Sequence, residues 1–210
     1  MAIKAVIFDL GGVVFDSPMD VFARFEALLG LPHNTLNHHI VRMGSAGAWA
    51  RLEKGSLTLP QFFEAFDAEL SEAGIPISAR QLMEEIAEHG AIRPVMIEAI
   101  RRLRSKGFKV AALTNNWAVD QDGTGSMDGI KNEFDAFVES SKSGLQKPDP
   151  RIYELACRSL DIAPDEAVFL DDIGRNLKTA RRLGMATIKV SRAEEALAEL
   201  EGLIGQKLLD

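Results

Sequence analysis

The chain has 210 residues, 46% of them apolar and 26% charged, and carries a net charge of −7. That length can bury a real core without disulfides or metals as staples, as one domain or a domain with a modest insert. The acidic balance disfavours nonspecific nucleic-acid binding, the single cysteine excludes an internal disulfide, and no apolar run approaches the roughly 18 residues of a membrane span.

The N-terminal run Ile3 to Phe8 is rich in β-formers and stops at Asp9-Leu10-Gly11-Gly12, the pattern of a buried parallel strand closed by glycine. Ala2 to Phe15 is interrupted by Asp9 and lacks a signal-peptide cleavage pattern, so a reducing, cytoplasmic setting is expected. From about Ser17 to Ala91 only helical patterns appear. Val21, Phe22, Phe25, Leu28 and Leu29 share one face. Thr58, Pro60 and Gln61 open a helix carrying Phe62, Phe63, Phe66 and Leu70, and Ser78 and Gln81 open another with Leu82 and Ile86. At helical spacing Phe62 and Phe66 read as core, while Trp49 could line either a core or a pocket.

Beyond Ala91, strands and helices alternate. Pro94 to Lys106 reads as a helix bearing Val95, Ile97, Ile100 and Leu103 and stopped by Gly107. Lys109 to Leu113, Ala136 to Glu139, Ala167 to Leu170 and Ala186 to Val190 read as strands. Asp149-Pro150 starts a helix as N-cap and first residue, and Cys157 lies on it among Ile152, Leu155, Ala156 and Leu160 as a small apolar residue. Leu177, Ala180 and Leu183 mark another helix, closed by Gly184. Ser191 and Glu194 form an expected capping box for a last helix bearing Leu197, Leu200, Leu203 and Leu208. This alternation means an α/β fold, a doubly wound and mainly parallel sheet, with a helical insert after its first strand.

Ligands gather at the carboxyl ends of such strands. Asp9 follows the first strand, Thr114-Asn115-Asn116 follows Leu113, and Asp171-Asp172 follows Leu170. Lys147 precedes a helix in a segment that Pro148 keeps extended. Singly, each has a plain reading: Asp9 a cap, Thr114 and Asn115 turn formers, Asp172 an N-cap, Lys147 a surface charge. As a set they suit phosphoryl transfer. A carboxylate can attack phosphorus, paired acids can hold a hard divalent cation, and a lysine, a hydroxyl and amides can neutralise phosphate oxygens. Asp120, Asp122, Gly125 and Asp128 imitate a calcium loop, but Lys131 stands where the closing glutamate belongs, so a polar loop is expected there.

The segments FDLGGVV, LTNNW, QKPDPRIY and FLDDIGRN resemble, in order and spacing, the four signature motifs of the haloacid dehalogenase superfamily. The likeness is nearest to the phosphatases typified by the N-terminal domain of mammalian soluble epoxide hydrolase, and it covers nearly the whole chain. It implies an α/β core over residues 1–16 and 92–210 and an all-helical C1-type cap over 17–91. It implies magnesium (Mg2+) as cofactor and a small phosphorylated metabolite as substrate, hydrolysed through an aspartyl-phosphate. On this resemblance Asp9 is nucleophile and metal ligand, Gly11 offers its backbone carbonyl to the metal, and Asp172 binds the metal with Asp171 in support. Thr114, Asn115 and Lys147 bind phosphate, and Lys147 also neutralises the nucleophile.

One position departs from the pattern. Phosphatases of this kind usually carry an acid/base aspartate where this chain has Gly11, and losing such a group costs about 10²–10⁴-fold in rate. Asp16, Glu53, His38 and His39 are candidate replacements; Asp16 could equally cap a helix, and the histidines read as solvated surface. Two rival functions stand beside phosphatase. One is a noncatalytic phospho-ligand-binding or regulatory protein, supported by Gly11. The other is a dehalogenase, disfavoured by the Asp171-Asp172 pair.

Overall fold

A computed structural model of the chain describes residues 2–117 and 128–209. Five strands, β1 (Ala5–Phe8), β2 (Lys109–Thr114), β3 (Ala136–Glu139), β4 (Ala167–Asp171) and β5 (Ala186–Lys189), pair in parallel in the order β3-β2-β1-β4-β5. Their near-continuous apolar character follows from burial on both faces. Val6, Phe8, Val110, Ala112, Val168 and Leu170 feed one core, and Ala5, Ile7, Ala111, Leu113, Ala167 and Phe169 feed the other.

Five α-helices make up the insert after β1: α1 (Pro18–Leu28), α2 (Thr35–Met43), α3 (Ala48–Glu53), α4 (Leu59–Glu72) and α5 (Ala79–His89). α6 (Pro94–Ser105) leads into β2, α7 (Asp128–Lys131) and α8 (Ser140–Ser143) bracket β3, α9 (Pro150–Ser159) and α10 (Gly174–Arg182) flank β4, and α11 (Ala193–Ile204) closes the chain. α6 and α11 cover the first face of the sheet, α9 and α10 the second. On α9, Asp149 accepts from the Arg151 N–H as the expected cap. Burial there pushes the Cys157 thiol up to about 11, so it packs as a hydrophobe.

The insert leaves and rejoins the sheet at one place. Phe15 and Ile92 form an antiparallel bridge, with Asp16 N–H donating to Ala91 O at 3.0 Å and Arg93 N–H to Val14 O at 2.8 Å. Between these crossings the insert builds its own core around Phe22, Leu36, Trp49, Leu52, Phe62, Phe66, Leu70 and Leu82. Thr58 and Gln61 form the expected capping box on α4.

Several local expectations are corrected. Leu28 and Leu29 are exposed, because α1 buries only the Val21 and Phe22 side of its turn. Ser78 precedes α5, but its hydroxyl makes no cap; the Asp67 carboxylate from α4 accepts the Ala79 N–H at 2.7 Å instead. Ser191 and Glu194 form no capping box, since α11 starts at Ala193 behind Arg192. Leu203 lies on the exposed side of α11, while Leu208 is buried in the tail beyond it. α2 and α3 carry too few apolar positions to be told apart from sequence. Asp120, Asp122 and Gly125 of the calcium-like loop lie outside the described residues.

Candidate active site

β1 is the middle strand, flanked by β2 and β4, and the order reverses there: the chain moves to one side through β2 and β3, and to the other through β4 and β5. A crevice opens beyond the carboxyl ends at such a reversal. Asp9 ends β1 and Asp171-Asp172 end β4, so register alone brings the acids together: Phe8 pairs with Leu170, and Asp9 N–H donates to Leu170 O at 2.9 Å.

Lys147 joins them. Its ammonium lies 2.7 Å from Asp9 Oδ1 and 2.8 Å from Asp171 Oδ2, fully enclosed by protein. Burial acts to lower the Lys147 pKa, but the Asp171 and Asp9 carboxylates override it and hold the ammonium above its ordinary value. Asp9 Oδ1 also accepts the Leu10 N–H at 2.7 Å, so both contacts fall on the same oxygen.

Asp171 is saturated. Oδ1 accepts from Ile173 N–H at 2.7 Å, Oδ2 takes the lysine, and Asn176 Nδ2 bridges both oxygens at 3.1 Å. Tyr153 donates to the Asn176 carbonyl at 3.0 Å, which fixes the first turn of α10. Asp172 is less enclosed and faces the turn after β1. Gly12 there has φ +75°, and a Cβ on it would come within 2.3 Å of Asp172 Oδ2, so only glycine lets that carboxylate approach.

Asp9, Asp171 and Asp172 each place a carboxylate oxygen within 4.8 Å of the others. Burial, reinforced by Asp171, pushes Asp172 up to about 6, and burial likewise holds Asp9 well above the carboxylate range. Three acids around one ammonium make a hard-oxygen cluster of net negative charge, which fits a small divalent cation. Asp9 and Asp172 can supply its ligands. Asp171, with four contacts from three donors, is committed to orienting them.

The phosphate-binding candidates cluster at the same edge. Thr114, buried, ends β2. Asn115 turns its side chain onto Lys147: Oδ1 accepts the Lys147 N–H at 2.8 Å, and Nδ2 donates to the Lys147 carbonyl at 3.1 Å. Its amide therefore clasps the lysine backbone as well as bordering the site. Gly11 has φ −62° and ψ 129°, ordinary extended backbone.

The four candidate acid/base residues separate clearly. Asp16 is held by Arg93 Nε at 3.2 Å, and Arg93 also donates to Gly12 O at 2.9 Å; Ser17, not Asp16, caps α1. His38 is exposed. His39, read from sequence as surface, is buried inside the insert 3.7 Å from Glu69 and against Phe66, because α2 turns it inward. Glu53, at the end of α3, reaches the strand ends: Asn115 Nδ2 donates to its Oε2 at 3.3 Å.

Sequence reasoning missed Asn176 and the corner formed by Asn116, Glu139 and Ser140. Asn116 N–H donates to Ser140 Oγ at 2.9 Å and its Nδ2 to Glu139 Oε2 at 2.7 Å, tying the end of β2 to that of β3. The strand-end rule that singled out Asp9 applies equally to Glu139-Ser140. Trp49 is core: it packs against Phe22, Phe62, Phe66 and Trp117.

A family model for haloacid dehalogenase-like hydrolases matches residues 3–184. The mouse protein Acyl-CoA dehydrogenase family member 10 is 40% identical over 205 residues, covering 96% of this chain and 19% of that protein. The pig Bifunctional epoxide hydrolase 2 is 37% identical over 222 residues, covering 100% of this chain and 40% of the other. The chain thus spans less than half the length of these relatives. A HAD family enzyme from Bacteroides thetaiotaomicron, solved in complex with magnesium and inorganic phosphate, shares the fold with a TM-score of 0.64 at 22% identity, over 95% of this chain and 99% of that one.

Proposed function

The chain belongs to the haloacid dehalogenase-like hydrolases, and from that premise we propose a magnesium-dependent hydrolase of small phosphate monoesters that works through an aspartyl-phosphate on Asp9. The observation that carries the reading is the Lys147 ammonium shared by Asp9 and Asp171 beside Asp172, at 2.7 and 2.8 Å. A lysine so placed can neutralise a carboxylate nucleophile and the phosphoryl group it receives.

In this reading residues 1–16 and 92–210 form the catalytic core and residues 17–91 the cap. Asp9 Oδ2, the oxygen turned away from Leu10 and Lys147, attacks phosphorus. Thr114, the Lys147 ammonium and nearby N–H groups hold the nonreacting phosphate oxygens. Asp9, the Gly11 carbonyl and Asp172 would hold magnesium, which when bound would supply charge neutralisation at the transferring group. Asn176 and Tyr153 keep Asp171, and through it Lys147, in place. The bound magnesium and phosphate of the Bacteroides thetaiotaomicron enzyme support the assignment. The acidic pair at β4 disfavours the dehalogenase alternative, and the single unpaired Cys157 fits a cytoplasmic setting.

Gly11 favours one rival, a protein that binds phosphorylated ligands without turning them over. One experiment separates the two. Release of phosphate from p-nitrophenyl phosphate and from sugar and glycerol phosphates is measured with magnesium and with EDTA, for wild type and Asp9→Asn. Asp9→Asn is expected to lose roughly 10³-fold or more, and chelation to abolish turnover. Equal turnover by the two proteins would remove Asp9 as nucleophile, and no turnover by either would leave the binding reading.

A further inference from the structure

Hydrolysis of an alkyl phosphate must place a proton on the departing oxygen, and Gly11 has no side chain to deliver one. In-line displacement sets the leaving group opposite the attacking Asp9 oxygen. The leaving group therefore faces away from the end of β1, into the space between the strand ends and the helical insert. From α3, the Glu53 carboxyl reaches Asn115 and Gln146 on that side of the strand ends.

Its carboxyl group is held by three neutral donors. Trp49 Nε1 donates to Oε1 at 3.1 Å, and Asn115 Nδ2 and Gln146 Nε2 donate to Oε2 at 3.3 and 3.4 Å. Asn115 and Gln146 are the residues that flank and clasp Lys147. The end of α3 is anchored to the sheet: Ser140 Oγ donates to the Glu53 carbonyl at 2.5 Å. Gly55, at φ +69°, lets the following turn lie against Ser141, whose carbonyl oxygen would stand 2.5 Å from any Cβ there. Glu53 is thus a carboxyl from the insert that is fixed against the core beside the nucleophile's lysine.

We infer that Glu53 is the catalytic acid and base of this site, in place of the side chain that Gly11 lacks; the inference rests on the phosphatase reading above. In the first step Asp9 Oδ2 bonds to phosphorus, the ester P–O bond breaks, and the Glu53 proton passes to the departing oxygen. The products are an alcohol, an aspartyl-phosphate and a Glu53 carboxylate. In the second step that carboxylate takes a proton from water as the water oxygen attacks phosphorus. The Asp9–phosphorus bond breaks, releasing inorganic phosphate and returning Glu53 to its protonated form.

Burial holds the Glu53 carboxyl above its ordinary value, against the pull of the Trp49 indole, of the facing Lys147 and Arg175 cations, and of the Asn115 amide. A larger share of it is protonated near neutral pH than for an exposed glutamate. The other charges of the adjoining corner, Glu139 and Lys142, are paired with each other. The remaining candidates are spoken for: Asp16 by Arg93, His39 by the interior of the insert.

The test uses kcat/KM, which reports the step that expels the leaving group, across phosphates of graded leaving-group pKa, from 2,4-dinitrophenyl to p-nitrophenyl to glycerol phosphate. Glu53→Gln is expected to lower kcat/KM for glycerol phosphate by about 10²-fold or more while leaving 2,4-dinitrophenyl phosphate within about 5-fold. With the activated ester it should also give a burst of one equivalent of phenol before slow turnover, because the second step then lacks its base. The fall of wild-type glycerol phosphate kcat/KM at alkaline pH should vanish in Glu53→Gln. Glu53→Asp, which keeps a titratable group, should recover part of the alkyl-ester rate. A loss of the same size for every leaving group, with no burst, would mean that Glu53 only props the insert, and the inference falls. Asp9-dependent turnover in that case leaves the phosphatase reading standing, whereas turnover indifferent to Asp9→Asn sinks the reading itself.

Discussion

Asp171 and Glu53 are both carboxylates turned inward at the same crevice, and the protein holds them in opposite ways. Asp171, at the end of β4, receives four contacts at 2.7 to 3.1 Å, one from an ammonium. Glu53, at the end of α3, receives three from neutral donors at 3.1 to 3.4 Å. The first arrangement fixes an orientation, because every lone pair has a donor and the strand behind it is buried on both faces. The second gives the charged form weaker support, which burial outweighs, so the carboxyl is held above its ordinary value. Strand ends and insert thus divide the labour: β4 supplies a carboxylate fixed in orientation by an ammonium and close donors, and the insert supplies one held only by longer contacts from neutral groups.

The largest break in that division is expected at Gly12. Alanine there must adopt φ near +75° and meets Asp172 Oδ2 at 2.3 Å. The backbone cost is about 1–2 kcal/mol, which for a domain of this size lowers Tm by about 2–8 °C. The larger effect is on the site, since Asp172 must swing away from its place beside Asp9. Gly12→Ala is expected to raise the magnesium concentration needed for half-maximal activity by about 10–100-fold. A magnesium titration of phosphate release checks this; an unchanged requirement would mean that Asp172 is no ligand.

Gly55 tests the other half of the contrast, at smaller amplitude. A Cβ there meets the Ser141 carbonyl at 2.5 Å, so Gly55→Ala pushes the end of α3 off the β3–α8 corner while making no contact with Asp9, Lys147 or Asp171. A 1 Å misplacement of a catalytic group can cost about 10²-fold, and a partial shift is expected to cost about 10-fold. If Glu53 acts on the leaving group, this loss appears with glycerol phosphate and is nearly absent with 2,4-dinitrophenyl phosphate. Equal losses on both would mean that the displacement disturbs the whole site rather than the proton donor.

The same division explains what the sequence made legible. Short apolar runs ending in Asp9, Thr114 and Asp171 could be read because parallel strands buried on two faces have a plain signature and their carboxyl ends fall together by topology. Lys147 could be picked out through Pro148 and the following cap. What could not be read depends on side chains meeting across distant segments. Asn176 supports Asp171 from five residues along, in the first turn of a strongly basic helix, so nothing local marks it. The α5 cap is supplied by Asp67 rather than Ser78, and His39 is turned inward by α2, whose pattern is too short to show a face. Glu53 had no mark in sequence that set it above Asp16, and only the anchoring of α3 by Ser140 brings it to the strand ends.

The smallest effect is expected at Gly11, and its smallness is informative. Gly11 has φ −62°, which any residue adopts, and a Cβ there meets only the Pro18 ring, at an ordinary 3.5 Å and beyond. The turn can therefore carry an aspartate without strain, unlike its neighbour Gly12. If the site lacked an acid, Gly11→Asp would raise kcat/KM for glycerol phosphate by something near the 10²–10⁴-fold that such groups contribute. If Glu53 already supplies the proton, the same change alters that rate by no more than about 5-fold, because a second acid adds little to a step already assisted. In the Glu53→Gln background, however, it should restore much of what was lost. The two-by-two comparison of wild type, Gly11→Asp, Glu53→Gln and the double variant reads this directly as a coupling between positions 11 and 53. Independent, multiplicative effects would mean that the two positions do not share a task.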